Sequence, residues 1–434
     1  MPTARGRFGP LDIPKTANQL TILGSMLVWC AVGTAAAQAA TSPPSDKAGY
    51  EDRTELGGPS SVSGQLVEDD RVRKTAFRFP AIDRALQPWF DWKRRFHDEH
   101  GVQLGFDYNV LYQRLDDGLG GDDDAMSGAI RAFGWWNLVG RGTGSEGSIF
   151  FKVEQRHELG TDIAPADLAA EAGYIGITGL NFNDAGLIFA ELNYQHNFQN
   201  RSGLIVGRFD PNDYMNVLGY ANPWSTFSNI SVLLDSSLAY PDFSWGAGAG
   251  HRFQNGWYVG GTINDANGTA TNEEFFEGGA EFIKMLAVGW YPTRDERYFK
   301  RVSATVWHVD DRDDAGVDSA DGLLLSANWT WNRTWMIFGR AGFSDGDAPI
   351  YNENATAGFG RIFRGNSDIL GVAVNWGDPP ADSLDAQTTT EVFYNLAFAR
   401  NLQITPSIQW LHGPALNPEQ DDVLLFGLRL RLAL

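Results

Sequence analysis

The stretch LLFGLRLRLAL, residues 424–434, alternates apolar and polar side chains with a period of two. The even-numbered leucines and Phe426 fall on one face of an extended strand, and Gly427, Arg429 and Arg431 fall on the other. Two arginines on one face of a strand cannot lie in a dry core without partners. They fit a strand that has hydrocarbon on one side and water on the other, as in a membrane barrel.

The same alternation recurs along the chain. It is clear in NLQITPSIQW (401–410) and in GVQLGFDYNVLYQR (101–114), where Leu111 is the exception. These segments predict sixteen strands, an even number, near residues 101–114, 128–140, 147–158, 186–198, 202–210, 240–252, 256–264, 278–291, 301–310, 322–332, 334–344, 355–363, 368–377, 388–399, 401–411 and 422–433.

The connections between these strands alternate between short and long. Residues 199–201 and 332–333 are short turns, whereas 115–127, with five Asp, and 311–321 are long and acidic. Such sorting is typical of outer-membrane barrels. Closure pairs every strand N–H and C=O, as hydrocarbon requires, and sixteen strands enclose a water-filled channel. We therefore expect an all-β fold, a transmembrane antiparallel β-barrel of 16 strands with short periplasmic turns and long extracellular loops.

The amino-terminal third of the chain divides into segments of different composition. Residues 1–39 carry basic residues, then an apolar run and the small-residue site Ala37-Gln38-Ala39, which predicts a cleaved signal peptide. A lipoprotein acylated at Cys30 is the alternative, but the bulky Trp29 disfavours that processing. Residues 40–76 are rich in Ser, Pro, Gly and charge and predict a flexible leader. Residues 77–100 predict a short amphipathic helix on the periplasmic side, interrupted by Pro88, and residues 101–434 form the barrel.

Charge and cysteine content exclude several classes of protein. The net charge is −20, which disfavours a basic surface for nucleic acid. The one Cys lies in the predicted signal peptide, so the exported chain has no disulfide framework and no thiolate nucleophile or metal site. After the signal peptide no run of 18 apolar residues follows, so the sequence predicts no transmembrane helix.

Four stretches carry a resemblance to a known family. They are GFDYNVLYQR (105–114), LIVGRFDPNDYMNVLGYANPWSTF (204–227), GNSDILGVAV (365–374) and the segment from Thr390 to Leu432. In this order they resemble the carbohydrate-selective porins of the OprB family, from about Phe90 to Leu434. The resemblance implies a passive outer-membrane channel of Gram-negative bacteria for mono- and small oligosaccharides.

A sugar porin needs a lumen of aromatic faces and hydrogen-bonding charges, and no acid, base or nucleophile. Alternation predicts which side chains face inward, except at Arg208, where only the family motif favours an inward position. Mixed signs suit a neutral sugar, although such charges also neutralise each other across neighbouring strands. The candidate sugar contacts are Arg131, Trp135, Lys152, Glu154, Arg156, Glu191, Arg208, Arg340, Glu391, Gln403, Gln409, Arg429 and Arg431.

Two loop features follow from the same sequence. The loop after Arg208 is long enough to fold into the lumen and narrow it, and a loop that only covers the mouth is the alternative. The Asp-rich runs 122–124 and 310–314 resemble metal-binding runs but lack the spacing of an EF-hand. We interpret them as solvated loops, bridged by divalent ions to lipopolysaccharide.

Other functions remain as alternatives. A general diffusion porin for small hydrophilic solutes and ions has the same fold, and a periplasmic sugar-binding protein has similar aromatics. An enzyme is disfavoured because the seven His have no catalytic spacing to Ser or Asp. We expect no cofactor and no bound metal. The expected partners are small sugars, outer-membrane lipid, lipopolysaccharide and the barrel assembly machinery, with no nucleic acid.

Overall fold

The computed structural model describes residues 57–275, 279–365 and 367–434, which contain sixteen strands that close into a barrel. Consecutive strands pair antiparallel, and the first pairs with the last, so the predicted fold is confirmed. The strands are β1 (Val102–Leu115), β2 (Asp124–Val139), β3 (Glu146–Glu158), β4 (Gly186–Asn197), β5 (Ser202–Phe209), β6 (Ser244–Arg252), β7 (Trp257–Asp265), β8 (Phe282–Trp290), β9 (Lys300–Val309), β10 (Ala320–Trp331), β11 (Trp335–Ser344), β12 (Glu353–Phe363), β13 (Asp368–Asp378), β14 (Gln387–Ala399), β15 (Leu402–His412) and β16 (Asp422–Ala433).

Alternation in the sequence sorts the side chains between the two faces of the wall. On β16, Leu428 is 44% exposed, whereas Arg429 is 2% exposed. Leu111, the exception in the sequence pattern, points inward and packs against Phe182 and Trp224. The outer surface is therefore an apolar band suited to hydrocarbon, and the inner face carries the polar residues.

Part of the predicted leader forms a helix, α1 (Val62–Asp69), inside the barrel. Ser61 caps it by accepting a hydrogen bond from the Gly64 backbone N–H, and Val62 and Leu66, one turn apart, pack against inward-facing aromatic side chains of β2 and β3. The prediction of a flexible leader is wrong for this part of residues 40–76. The Ser- and Gly-rich composition gave no sign of a helix, because Val62 and Leu66 are buried only by contact with the barrel wall.

The predicted helix at 77–100 is observed as α2 (Pro80–His100). It begins with Pro80, ends at Gly101 in the left-handed conformation, and continues through Pro88 without interruption. Its Lys93 Nζ donates to the carbonyl oxygen of Leu434 at 3.0 Å, and Trp89 contacts Phe106. The helix therefore lies at the end of the barrel where β1 begins and β16 ends. Within the described residues, no helix is long and apolar enough to span a membrane.

Short turns join the strands at this end of the barrel, which we call the turn end, and longer loops join them at the other, the loop end. The loop between β3 and β4 contains α3 (Leu168–Glu171). The loop between β5 and β6, residues 210–243, contains α4 (Asn212–Met215) and α5 (Ile230–Leu233), and we call it the inner loop.

The inner loop folds into the barrel rather than covering its mouth. Most of its side chains are buried, and Leu218, Phe227 and Val232 pack in one cluster with Phe338 and Phe393 of the wall. The glycines at 358 and 371 leave space for those two wall rings, because a Cβ at either position would overlap a ring. The expectation that this loop narrows the lumen is therefore confirmed.

The predicted signal peptide 1–39, with Cys30, and the leader up to residue 56 lie outside the described residues.

The apolar band generates a prediction about stability. Leu428→Arg places a charge near the middle of the lipid-facing side of β16, so we expect it to lower the free energy of unfolding by about 2–4 kcal/mol. The measurement is urea unfolding in lipid vesicles. Leu416→Arg is the matched control, because Leu416 is 53% exposed in the loop after β15. Equal stability of the two variants would contradict the assignment of the band to hydrocarbon.

Candidate functional site

All the candidate sugar-contact residues except Arg208 lie on the inner face of the barrel. None of these is more than 6% exposed. Their polar groups contact the inner loop, α1 or one another. The structure thus brings the candidates together, but around the elements that fill the lumen and not around open space.

Asp107 on β1 stands between two arginines of neighbouring strands. Arg131 on β2 donates from Nε to Asp107 at 2.8 Å, and Arg431 on β16 donates to the same carboxylate at 2.7 Å. Both arginines also reach α1: Arg131 donates to Gln65 at 2.8 Å, and Arg431 pairs with Asp69 at 2.7 Å. This buried network fixes α1 against the wall. Sequence reasoning did not propose Asp107, although it lies on the polar face of the predicted first strand.

A second charged group lies beside the inner loop. Lys152 on β3 lies 2.5 Å from Glu191 on β4 and 3.8 Å from Asp213 of α4. On β3, Glu154 accepts two hydrogen bonds from Arg156, at 2.9 and 2.7 Å. The charges of Lys152 and Glu191, and those of Glu154 and Arg156, are therefore neutralised within the wall, and Lys152 also contacts the start of the inner loop.

The inner loop itself carries acids with altered titration. Burial raises the pKa of the Asp213 carboxyl, and burial together with the charges of Asp213 and Asp242 raises the pKa of Asp210 well above its usual range. Because the folded chain holds these protons more tightly than the unfolded chain, their contribution to stability falls as the pH rises above the usual carboxyl range.

Two arginines of the wall bind backbone carbonyl oxygens of the inner loop. Arg340 donates to the carbonyl oxygens of Leu233 at 2.7 Å and Asn216 at 2.9 Å. Arg429 donates to the carbonyl oxygen of Pro223 at 2.6 Å. These bonds satisfy acceptors that a loop buried in a barrel would otherwise leave unpaired.

Glu391 and Gln409 hold the middle of the same loop. Glu391 accepts hydrogen bonds from the backbone N–H groups of Ser228 at 2.8 Å and Asn229 at 3.0 Å. Gln409 donates to the Ser228 hydroxyl at 2.9 Å and accepts from the Asn229 side chain at 3.0 Å. Both residues therefore act as anchors of the loop in this structure.

The two remaining inward candidates bind neighbours in the wall or α1. Gln403 donates to the Asn395 side chain at 3.1 Å and accepts from Arg431 at 3.2 Å. Trp135 packs with Phe150 and with the apolar side of α1. Neither borders open space.

Arg208 differs from the prediction. In the strand register it stands opposite Leu192 and Trp245, and Leu192 faces outward with 40% of its side chain exposed. Its guanidinium donates to the carbonyl oxygens of Phe189 at 2.9 Å and Thr269 at 2.7 Å. Because opposite residues share a face, the expected inward position is wrong. Arg208 joins the backbone of β4 to that of the loop after β7, near the loop end of β5.

A cavity remains between the inner loop and the inner faces of β5 to β9. We call the part of the barrel wall that borders this cavity the open wall. Tyr214, Met215 and Val217 of the inner loop border the cavity on one side. Gly248, Gly250 and Gly260 border it on the other. These glycines occupy inward positions of β6 and β7, where the missing side chains leave room.

The open wall was missed by sequence reasoning, although a signal was present. In GAGAGHR (246–252), glycine occupies every second position, so one face of the strand has no side chains until Arg252. Other side chains of the open wall are Ile205, Tyr258, Tyr291, Arg297 and Arg301.

The Asp-rich runs show no arrangement for a metal. Within the described residues no group of three or more His, Cys, Asp or Glu side chains is placed to hold an ion. Asp310 instead lies 2.5 Å from Lys284 and 3.1 Å from His308.

Comparison with known proteins agrees with this architecture. Residues 318–434 match the family model described as carbohydrate-selective porin, OprB family. A search of curated proteins found no match. The structure of Pseudomonas putida OprB at high pH superposes with a TM-score of 0.65 at 12% sequence identity, covering 80% of this chain and 97% of that one. A mutant of the Rh. blastica porin gives a TM-score of 0.48 at 14% identity, covering 77% of this chain and 100% of that one.

The resemblance to carbohydrate-selective porins is therefore confirmed by the family match in the carboxyl-terminal part of the chain, and the barrel architecture by the superposition on the Pseudomonas putida structure.

The network around Asp107 generates a prediction. Asp107→Asn leaves Arg131 and Arg431 with less counter-charge in a buried place, so we expect a loss of about 3–5 kcal/mol in the free energy of unfolding. Urea unfolding in detergent, followed by heat-modifiable migration on gels, measures it. Asp422→Asn is the control, because the Asp422–His412 pair is solvent-exposed, and we expect little change. An Asp107→Asn barrel as stable as the control would show that the network does not hold α1.

Proposed function

We propose that this chain is a carbohydrate-selective porin of the outer membrane, through which mono- and small oligosaccharides diffuse passively. The function predicted from the sequence is supported by the family match over residues 318–434. The main physical support is a closed barrel with an apolar outer face and a polar inner face, whose interior is only partly filled. A channel of this kind needs no catalytic group.

The path for solute runs along the open wall. The inward glycines of β6 and β7 make room there, while the β1–β4 side of the lumen is filled by α1 and the inner loop. Tyr214 and Tyr258 line this path, and the Tyr258 hydroxyl, which has no hydrogen-bond partner among the described residues, is suited to hydrogen bonds with sugar hydroxyls.

The buried charged candidates serve this function indirectly. They hold the inner loop at a fixed distance from the open wall, and that distance sets the width of the path. Their predicted role as direct sugar contacts is replaced, in this proposal, by a positioning role.

Export and membrane contacts complete the proposal. Residues 1–39 direct export and are cleaved, the turn end faces the periplasm, and the barrel assembly machinery inserts the chain. The apolar band contacts outer-membrane lipid, and the acidic loops at the loop end contact lipopolysaccharide through divalent ions.

A substitution in the open wall tests the path. Gly260→Phe adds a ring to the open wall, and because a Cβ at Gly260 meets its nearest neighbour at 3.5 Å, the barrel accommodates it. We expect glucose permeation to fall at least about tenfold, corresponding to a barrier higher by about 1.4 kcal/mol. Liposome swelling with glucose and a disaccharide measures the rates.

The matched control is Gly339→Phe, because Gly339 lies on the outer face of β11 with its nearest Cβ neighbour at 3.6 Å. We expect wild-type permeation for this variant. Unchanged permeation in Gly260→Phe would contradict the proposed path. Equal permeation of sugars and of salts of similar size by the wild type would favour a general diffusion porin instead.

A further inference from the structure

Two arginines and two tyrosines form a stacked series on the open wall. The Arg301 guanidinium lies 4.6 Å from the centre of the Tyr258 ring, and the Arg252 guanidinium lies 4.8 Å from that of Tyr291. The two rings themselves are 5.4 Å apart. The series therefore runs Arg301, Tyr258, Tyr291, Arg252 along one side of the cavity. Stacking fixes the planes of both guanidinium groups and presents their edges for hydrogen bonding.

Unlike three other arginines of the inner face, these two have no carboxylate partner among the described residues, and Arg252 donates instead to the carbonyl oxygen of Pro292 at 2.8 Å. Arg131, Arg156 and Arg431 each pair with a carboxylate. In the described part of the chain no carboxylate lies within 4.0 Å of the guanidinium of Arg252 or Arg301.

The other charged residues that line the cavity have the same sign. Arg201 borders it together with His251, and none of the described lining residues is Asp or Glu. A wall whose charges have one sign attracts counter-ions, whereas a wall of mixed sign does not. Among the described lining residues, Arg201, Arg252 and Arg301 therefore attract anions to this side of the cavity, although the whole chain carries a net charge of −20.

Several polar atoms beside the cavity have no hydrogen-bond partner. They include Nε of Arg252 and of Arg301, the Tyr258 hydroxyl and Oγ1 of Thr262. Arg301 is 8% exposed, so its Nε is both buried and unsatisfied. Donors of this kind are suited to pair with the acceptor oxygens of a ligand.

We propose that the stacked series is a binding site for anionic sugars, that is, for a pyranose carrying one carboxylate or one phosphate group. The guanidinium edge of Arg301 binds the anionic group, and Arg252 adds a second positive charge to the same side of the cavity. This inference rests on the proposed function, because it names a substrate class for the same path. It adds that anionic sugars are held in the channel more tightly than neutral ones.

The test uses single-channel recording of the full chain in planar bilayers at low salt, where charges are weakly screened. The probes are glucuronate, glucose 6-phosphate and glucose. In the wild type we expect both anionic sugars to interrupt the current at lower concentration than glucose, and chloride to permeate better than potassium. The stronger of the two anionic probes distinguishes a carboxylate from a phosphate site.

The double variant Arg252→Gln/Arg301→Gln should lose affinity for the anionic probes by at least about tenfold, with glucose changed little. The double lysine variant keeps the charge but not the planar fork, so we expect it to retain the chloride preference with weaker binding of the anionic sugars. Arg361→Gln is the matched control, because Arg361 stacks on Trp335 at 4.4 Å on the outer face of β12. Heat-modifiable migration checks that each barrel is folded.

The outcomes separate the inference from the proposed function. Equal affinity of the wild type for glucuronate, glucose 6-phosphate and glucose would overturn the site, as would unchanged binding in a folded Gln double variant. A wild type that passes no sugar in liposome swelling, while anionic probes still block in an arginine-dependent way, would refute the porin function and leave the site standing.

Discussion

The structure depends on one constraint, the hydrogen bonding of the backbone in hydrocarbon. A strand N–H or C=O that faces lipid without a partner costs several kcal/mol, so a sheet in a membrane cannot keep an open edge. The pairing of β1 with β16 removes that edge. Once the sheet is closed, the period of two requires the outer positions to be apolar and leaves the inner positions polar, as Leu428 and Arg429 show.

Closure of sixteen strands also creates a space that the wall alone cannot fill. The chain fills much of it with α1 and the inner loop, which brings backbone and charged groups out of water. Each such group then needs a partner, and the wall supplies it: Arg340 for carbonyl oxygens, Glu391 for N–H groups, Asp107 for the arginines that bind α1. The charges on the inner face are thus a consequence of burying a loop, as much as of facing water.

Sequence reasoning predicted the wall well and the interior poorly, for a physical reason. Alternation is a local property, so the strands and the inward side of Arg131 or Glu391 followed from the sequence. Burial of those side chains depends on where the inner loop folds, which is decided by contacts distant in sequence, such as Arg429 with Pro223. The inward position of Arg208 was expected from the family motif and not from alternation, and the register of β5 against Leu192 and Trp245 places its side chain on the opposite face. The helix α1 was not predicted because the residues that bury it lie on β2 and β3, far away in the sequence.

The net charge of the chain does not predict the charge of the channel, because contacts between residues distant in sequence decide which charges border the cavity. A net charge of −20 suggests a negative lumen, yet a charge matters to a solute only where it borders open space and lacks a partner. Most charges of the inner face are paired with each other or with the loop, and those pairs cancel at short range. Arg252 and Arg301 border the space that the glycines of β6 and β7 leave open. In the proposed site for anionic sugars, the solute therefore meets the positive charges of Arg252 and Arg301, whose sign is opposite to the net charge of the chain.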